Sequence, residues 1–321
     1  MSMRFRTEIT SSPADLELAA YRPVLSAGSC FAENMAVRMR QCLWPASFPF
    51  GMLYNPASIA MVLRLMLLTD PATAMRQFED TIFEAGGRWR SWMFDSRLIS
   101  DSQQGLADAF ARLRLDVSRT MTLCDTILVT FGTAWCYALA SNDMTVANCH
   151  KQPAALFRRY RLDPDEITGL WIPLIRELSD RYPGLRFIFT VSPVRHLKDG
   201  FHENTLSKAT LHIAVDRICS QTENTRYFPA FELVMDDLRD YRFYAADMAH
   251  PSDLAVEYVW QHFCDTYMST ETRQAIARGE KIQKRLSHRP MSGVPDPEFT
   301  AETERLLDEF RRDFPQFLLP Q

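Results

Sequence analysis

Thr126-Ile127-Leu128-Val129-Thr130-Phe131 is an apolar run closed by Gly132, and Arg186-Phe187-Ile188-Phe189-Thr190-Val191 repeats the pattern before Ser192-Pro193. A strand with one wet face alternates polar and apolar residues; a strand that does not alternate is covered on both faces, as in the middle of a parallel sheet. Parallel neighbours need a crossover, and a helix over Pro164–Arg181, stopped by Pro183-Gly184, lies between the two runs. Outward from this pair the alternation continues. Pro23-Val24-Leu25-Ser26-Ala27 ends at Gly28 and leads into helical spacing over 31–43, with Met35, Met39 and Cys42 on one side. A short strand is expected at 46–50, closed by Gly51, and Pro56-Ala57-Ser58 opens a helix over 59–68. On the other flank, 206–220 reads as a helix entered by a loop holding His202, Asn204, Ser207 and Lys208, and 225–228 as a last strand. Such alternation implies right-handed crossovers and an open α/β sheet, whose ligands sit at the carboxyl ends of the strands. The shortlist for a site is therefore Gly28-Ser29-Cys30, Phe50-Gly51, Gly132-Thr133 and Ser192-Pro193.

Composition narrows the function classes. The 321 residues are 46% hydrophobic and 24% charged, which suits a globular chain of one large or two small domains. A net charge of −4 argues against a nucleic-acid partner, and the basic runs Arg158-Arg159-Tyr160-Arg161 and 281–289 are read as solvated helix faces. The most apolar run, 59–69, is broken by Arg64 and falls short of the ~20 residues of a membrane span. The first residues hold no apolar stretch of the signal-peptide kind, so no membrane is expected as a partner and a cytoplasmic location is. Seven cysteines without a CxxC pair suggest neither a zinc ribbon nor a redox motif, and no GxGxxG or GxxxxGK[ST] cradles a nucleotide. No cofactor and no metal is expected. Residues 78–100, with Gly86-Gly87 between Phe83 and Trp89, read as a hairpin-like insertion in a domain over 1–268. A charged helical extension follows over 269–321, with a linker at 289–295 and a last helix over 300–314.

Acyl transfer by a side chain needs a nucleophile, a base and donors for the oxyanion. Gly28-Ser29-Cys30-Phe31-Ala32 offers a hydroxyl and a thiol where a strand turns into a helix, whose free N–H groups and positive end would lower a cysteine's pKa. Alone, the segment reads rather as a Ser-capped helix start with a buried cysteine. Asp247-Met248-Ala249-His250-Pro251-Ser252 places an aspartate three residues before a histidine, the spacing at which a carboxylate can orient an imidazole. Asp-x-x-His is common by chance; its place after the last strand and before a Ser252-capped helix gives it weight.

These blocks together resemble the GSCFA domain family, a bacterial group similar to SGNH (GDSL-type) hydrolases. Gly28-Ser29-Cys30-Phe31-Ala32 spells its signature. Phe50-Gly51-Met52-Leu53-Tyr54-Asn55-Pro56, Phe131-Gly132-Thr133-Ala134-Trp135, Asn148-Cys149-His150-Lys151, Ser192-Pro193-Val194-Arg195-His196 and Asp247 to Ser252 extend the likeness over 20–265. The resemblance implies a three-layer, flavodoxin-like α/β/α fold around a central parallel sheet. It also implies ester hydrolysis or acyl transfer on a small-molecule or saccharide ester. Cys30 stands where the SGNH pattern has its serine, and Ser29 where it has aspartate. Cys30 attacks, or Ser29 does, or the site is not hydrolytic. Asp247 and His250 match the Asp-x-x-His block, and Gly51 the glycine that donates its N–H to the oxyanion. The block at Gly132-Thr133 lacks its amide, so the missing donor falls to Asn148 or Asn55. His150, Arg195 and His196 are candidate substrate contacts. Three classes stay open: an esterase or acyltransferase, a non-catalytic glycan- or acyl-binding module, and an accessory protein of a larger assembly. Acyl group, acceptor and oligomeric state are open too.

Overall fold

Gly28 ends the first strand at φ 142°, where a Cβ would lie 2.2 Å from the Thr130 carbonyl oxygen, so only glycine lets the chain leave the sheet at this point. The elements are seen in a computed structural model that describes residues 7–12, 14–288 and 296–314; the expected linker at 289–295 lies outside them. The first half holds β1 (Val24–Gly28), α1 (Cys30–Gln41), β2 (Ala46–Ser47), α2 (Pro56–Leu67), α3 (Pro71–Glu79), β3 (Ile82–Ala85), β4 (Arg88–Ser91), β5 (Ile99–Ser100), α4 (Gln103–Met121) and β6 (Thr126–Phe131). Next come β7 (Trp135–Leu139), β8 (Thr145–Val146), β9 (Phe157–Arg161), α5 (Pro164–Arg181), β10 (Arg186–Val191), α6 (Gly200–Gln221) and β11 (Thr225–Tyr227). Then follow α7 (Ala230–Glu232), α8 (Asp253–Tyr267), α9 (Thr270–Leu286) and α10 (Pro297–Asp313).

Five parallel strands make the central sheet in the order β11-β10-β6-β1-β2. Counted among the sheet's own strands this is the doubly wound 2-1-3-4-5 order, whose direction reverses between β1 and β6. Side chains alternate across it. Leu25, Ala27, Ile127, Val129, Phe187 and Phe189 pack with α2, α4, α5 and α6, while Val24, Leu128 and Ile188 pack with α1, α8, α9 and α10. The fold is a three-layer α/β/α arrangement with both sheet faces buried.

Several expectations need correction. The strand at 46–50 shrinks to Ala46–Ser47, and only an isolated bridge from Gly28 to Met52 continues it. Arg158-Arg159-Tyr160-Arg161 is no helix face: it forms β9, which pairs with β7 in a small antiparallel sheet ordered β8-β7-β9. Its arginines cover aromatic faces, Arg159 lying 4.0 Å and Arg161 5.6 Å from the Trp135 ring centre. The loop expected before 206 is already helical from Gly200. The hairpin at Gly86-Gly87 joins β3 to β4, and β5 completes a second antiparallel sheet. Among the described residues no helix is long and apolar enough to cross a membrane.

Candidate active site

The turn after β1 puts Ser29 at the N-cap of α1 and Cys30 in its first turn. Ser29 does not cap: its side chain is buried, and its Oγ has no hydrogen-bond partner. It is pressed against the next strand end, since a Cβ on Gly132 would come 3.3 Å from Ser29 Cβ. Cys30 is half-buried and opens onto a cavity of about 690 Å³ at the carboxyl edge of the sheet. The cavity is walled by Tyr54 and Asn55 after β2, Thr133 and Trp135 around β7, Ser192 and residues 194–199 after β10, and His250. Ser29, Cys30 and His250 thus share one cavity. No hydrogen bond joins His250 to either nucleophile candidate among the described residues.

The histidine is held by a tight loop. Asp247 Oδ1 accepts the Ala249 and His250 N–H groups, each at 3.0 Å, and Oδ2 lies 2.6 Å from His250 Nδ1. The His250 and Ala249 N–H groups, with the ring, hold the Asp247 carboxyl down to about 2. An ionised carboxylate only accepts, so Nδ1 carries a proton and neutral His250 keeps a lone pair on Nε2.

The thiol's environment departs from expectation. Burial pushes the Cys30 pKa up rather than down; the Phe31 N–H and the Lys208 charge offset it only in part. A resting thiol therefore needs a base to become a nucleophile. Beneath it lies a group expected on the loop that enters the 206–220 helix. Lys208, on α6, is fully buried and donates to the Gly132 and Ser192 carbonyls, both at 2.6 Å. Desolvation pulls its pKa down to about 7, and the nearby Cys30 holds it up against that. Its neighbour Ser207 accepts the Ala134 N–H at 2.8 Å and pairs with Thr133 Oγ1 at 3.1 Å. His196, whose N–H bonds Asn204 Oδ1 at 3.0 Å, is half-buried, and desolvation with the nearby Lys208 charge lowers its pKa to about 4.

The oxyanion donors can be sorted by what is already engaged. The Gly132 and Thr133 N–H groups both donate to the Tyr54 carbonyl, at 2.8 and 2.9 Å, so neither is free. Gly51 does not line the cavity; it packs on Asp95, which takes the next N–H, that of Met52, at 2.8 Å. Asn55, which lines the cavity, caps α2 through Oδ1 and the Ser58 N–H at 2.8 Å, and among the described residues its Nδ2 has no hydrogen-bond acceptor. Asn148 Oδ1 accepts the His150 N–H at 2.7 Å, an Asx-turn at the outer wall. The Cys30 N–H, in the first turn of α1, has no intrahelical acceptor. His150 is not in the cavity: Nε2 meets the Ser91 carbonyl at 2.9 Å and the ring packs on Phe83 and Trp92. Arg195 and His196 do line it. Sequence reasoning missed Lys208, Tyr54, Trp135, Arg159, Lys198 and Asp199.

The chain is similar to a solved Corynascus thermopiles (Myceliophthora fergusii) carbohydrate esterase family 2 enzyme with a carbohydrate-binding domain. Identity is 11% and the TM-score 0.36, over 84% of this chain and 69% of that one. It is also similar to an acetyl xylan esterase, Est2A, from the rumen bacterium Butyrivibrio proteoclasticus, at 11% identity and TM-score 0.32, over 77% of this chain and 64% of that one. No curated protein matches it. The GSCFA family model matches residues 23–263, three quarters of the length and every block around the cavity, and the chain belongs to the GSCFA family.

Proposed function

We propose that the chain cleaves esters by acyl transfer through Cys30. The observation that carries this reading is the sharing of one cavity by Cys30 and the Asp247-oriented His250 at the carboxyl edge of a doubly wound sheet. In the reaction, His250 Nε2 takes the Cys30 proton as Sγ bonds to the ester carbonyl carbon, whose oxygen becomes an oxyanion. The Cys30 N–H and Asn55 Nδ2 receive that charge. Collapse breaks the bond to the alkoxide, which takes the proton back from His250 and leaves as an alcohol. The thioester on Cys30 is then attacked by water, or by an acceptor hydroxyl, with His250 again as base, and the thiol is restored. Asp247 fixes the ring tautomer and faces the imidazolium formed in each half-reaction. Ser29 supports the turn rather than attacking, because its hydroxyl is buried.

The test is a panel of variants assayed on p-nitrophenyl acetate. Cys30→Ala and His250→Ala are expected to lose about 10²-fold or more in turnover, while Ser29→Ala keeps most of it. Activity that survives Cys30→Ala and vanishes in Ser29→Ala would hand the attack to the serine. Absence of turnover in the unmodified protein would leave a ligand-binding cavity.

A further inference from the structure

The charge lining the cavity is lopsided. Arg159, Arg195 and Lys198 line it against a single carboxylate, Asp199. That carboxylate is already taken, with Arg159 Nη2 lying 2.5 Å from Asp199 Oδ1. Arg195 is different. Its guanidinium lies over the Tyr244 ring, 5.5 Å from the centroid, and Nη2 reaches only Met235 Sδ at 3.9 Å. Tyr244 holds Met235 in turn, its hydroxyl lying 3.2 Å from the same sulfur. Among the described residues neither Arg195 nor Lys198 has a carboxylate partner. An arginine steadied by a ring and a thioether, without neutralisation, keeps a planar fork of donors ready for a carboxylate or phosphate. On the same cavity, Trp135 Nε1 is buried with no acceptor, and the Ser29 hydroxyl is likewise unpartnered.

We propose that this cavity selects an ester whose non-reacting part carries an anionic group, a carboxylate or a phosphate, received by Arg195 and Lys198. The ester part of this statement rests on the Cys30 reading; the preference for an anion does not. The anion docks between residues 195–198 while the scissile carbonyl reaches Cys30, so the substrate is bound at two points. Tyr54, Trp135 and Tyr137 also line the cavity, with the Arg159 guanidinium lying over the Trp135 ring.

The two claims separate if the anion preference is read by alkylation rather than by ester cleavage. Iodoacetate and iodoacetamide place the same carbon on Cys30 Sγ with loss of iodide, one carrying a charge and one not. The ratio of their rates at Cys30 in the full chain, followed by peptide mass spectrometry and normalised to glutathione, reports the field at the thiol. At low ionic strength the Arg195→Gln/Lys198→Gln variant is expected to lower this ratio about tenfold, and 0.5 M salt should erase most of the difference. Protection of Cys30 from iodoacetamide by glucuronate or by glucose 6-phosphate, beyond that given by glucose, assigns the anion as carboxylate or phosphate. A ratio untouched by the double substitution overturns the proposal, as does equal protection by glucose. Cys30 inert to both reagents overturns it too, because the proposal requires an open path from Arg195 to the thiol. Absence of ester cleavage in the unmodified protein, with the ratio still falling in the double variant, would strike the Cys30 chemistry and leave the anion site standing.

Discussion

Lys208 Nζ lies 2.6 Å from the Gly132 carbonyl oxygen, and a second bond of the same length ties it to the Ser192 carbonyl. One buried ammonium thus joins the carboxyl ends of β6 and β10 below Cys30. Unpaired burial of a lysine charge is costly, and here two carbonyl dipoles compensate it in part.

If that charge steadies the Cys30 thiolate, removing it must move the thiol. In Lys208→Met the pH at which iodoacetamide begins to label Cys30 should rise by about one unit. A lysine that only cross-links strands would lower the melting temperature and leave the labelling midpoint where it was.

The same lysine makes stability depend on pH. Its pKa falls from 10.5 unfolded to about 7 folded, so between these values the unfolded chain binds more protons. Stability from this group therefore rises as pH goes from about 7 towards 10.5. The melting temperature of the parent should gain on that of Lys208→Met across this window, the variant cancelling the titration of other groups.

His196 acts in the acid range. Burial, with help from Lys208, lowers its pKa from 6.5 to about 4, so the folded ring stays neutral where the unfolded one charges. Its stabilising contribution is whole above pH 6.5 and drains away as pH falls towards 4, by about 3 kcal/mol in all. Urea unfolding of His196→Gln should show a flatter profile between these limits; parallel profiles would contradict the assignment.

Two asparagines compete for the role of oxyanion donor, and both have their oxygen occupied by a backbone N–H. Asn55→Asp keeps the cap on α2 and removes the donor, so kcat should fall about 10²–10³-fold with little change in melting temperature. Asn148→Asp keeps the Asx-turn and should cost less than tenfold. The reverse order would move the oxyanion to the outer wall.

What the sequence discloses follows from how each feature is encoded. The runs at β6 and β10 are largely apolar and do not alternate because both faces are covered, and that pattern needs no tertiary knowledge to read. Gly28-Ser29-Cys30 and Asp247 to His250 are contiguous, and so is their chemistry. Lys208 was legible but went unread: Asn204, Leu211 and Val215 share its helical stripe, which puts a charge on the face that packs against the sheet. The arginine strand β9 misled because Arg158, Arg159 and Arg161 sit in a short edge strand whose pairing with β7 is set by residues some twenty positions away. That the Gly132 N–H turns to Tyr54, and His150 away from the cavity, depends on loop conformations that no local pattern specifies.

The central claim is that the acyl group passes through Cys30. Acid quenching of the protein during turnover of p-nitrophenyl acetate, followed by peptide mass spectrometry, tests it directly. The account predicts one acetyl group on Cys30, lost on brief treatment with neutral hydroxylamine as a thioester is, and accumulating because acylation by this activated ester outpaces deacylation. An acetyl group on Ser29 that resists hydroxylamine, or steady turnover with no acylated intermediate at any time, would contradict it.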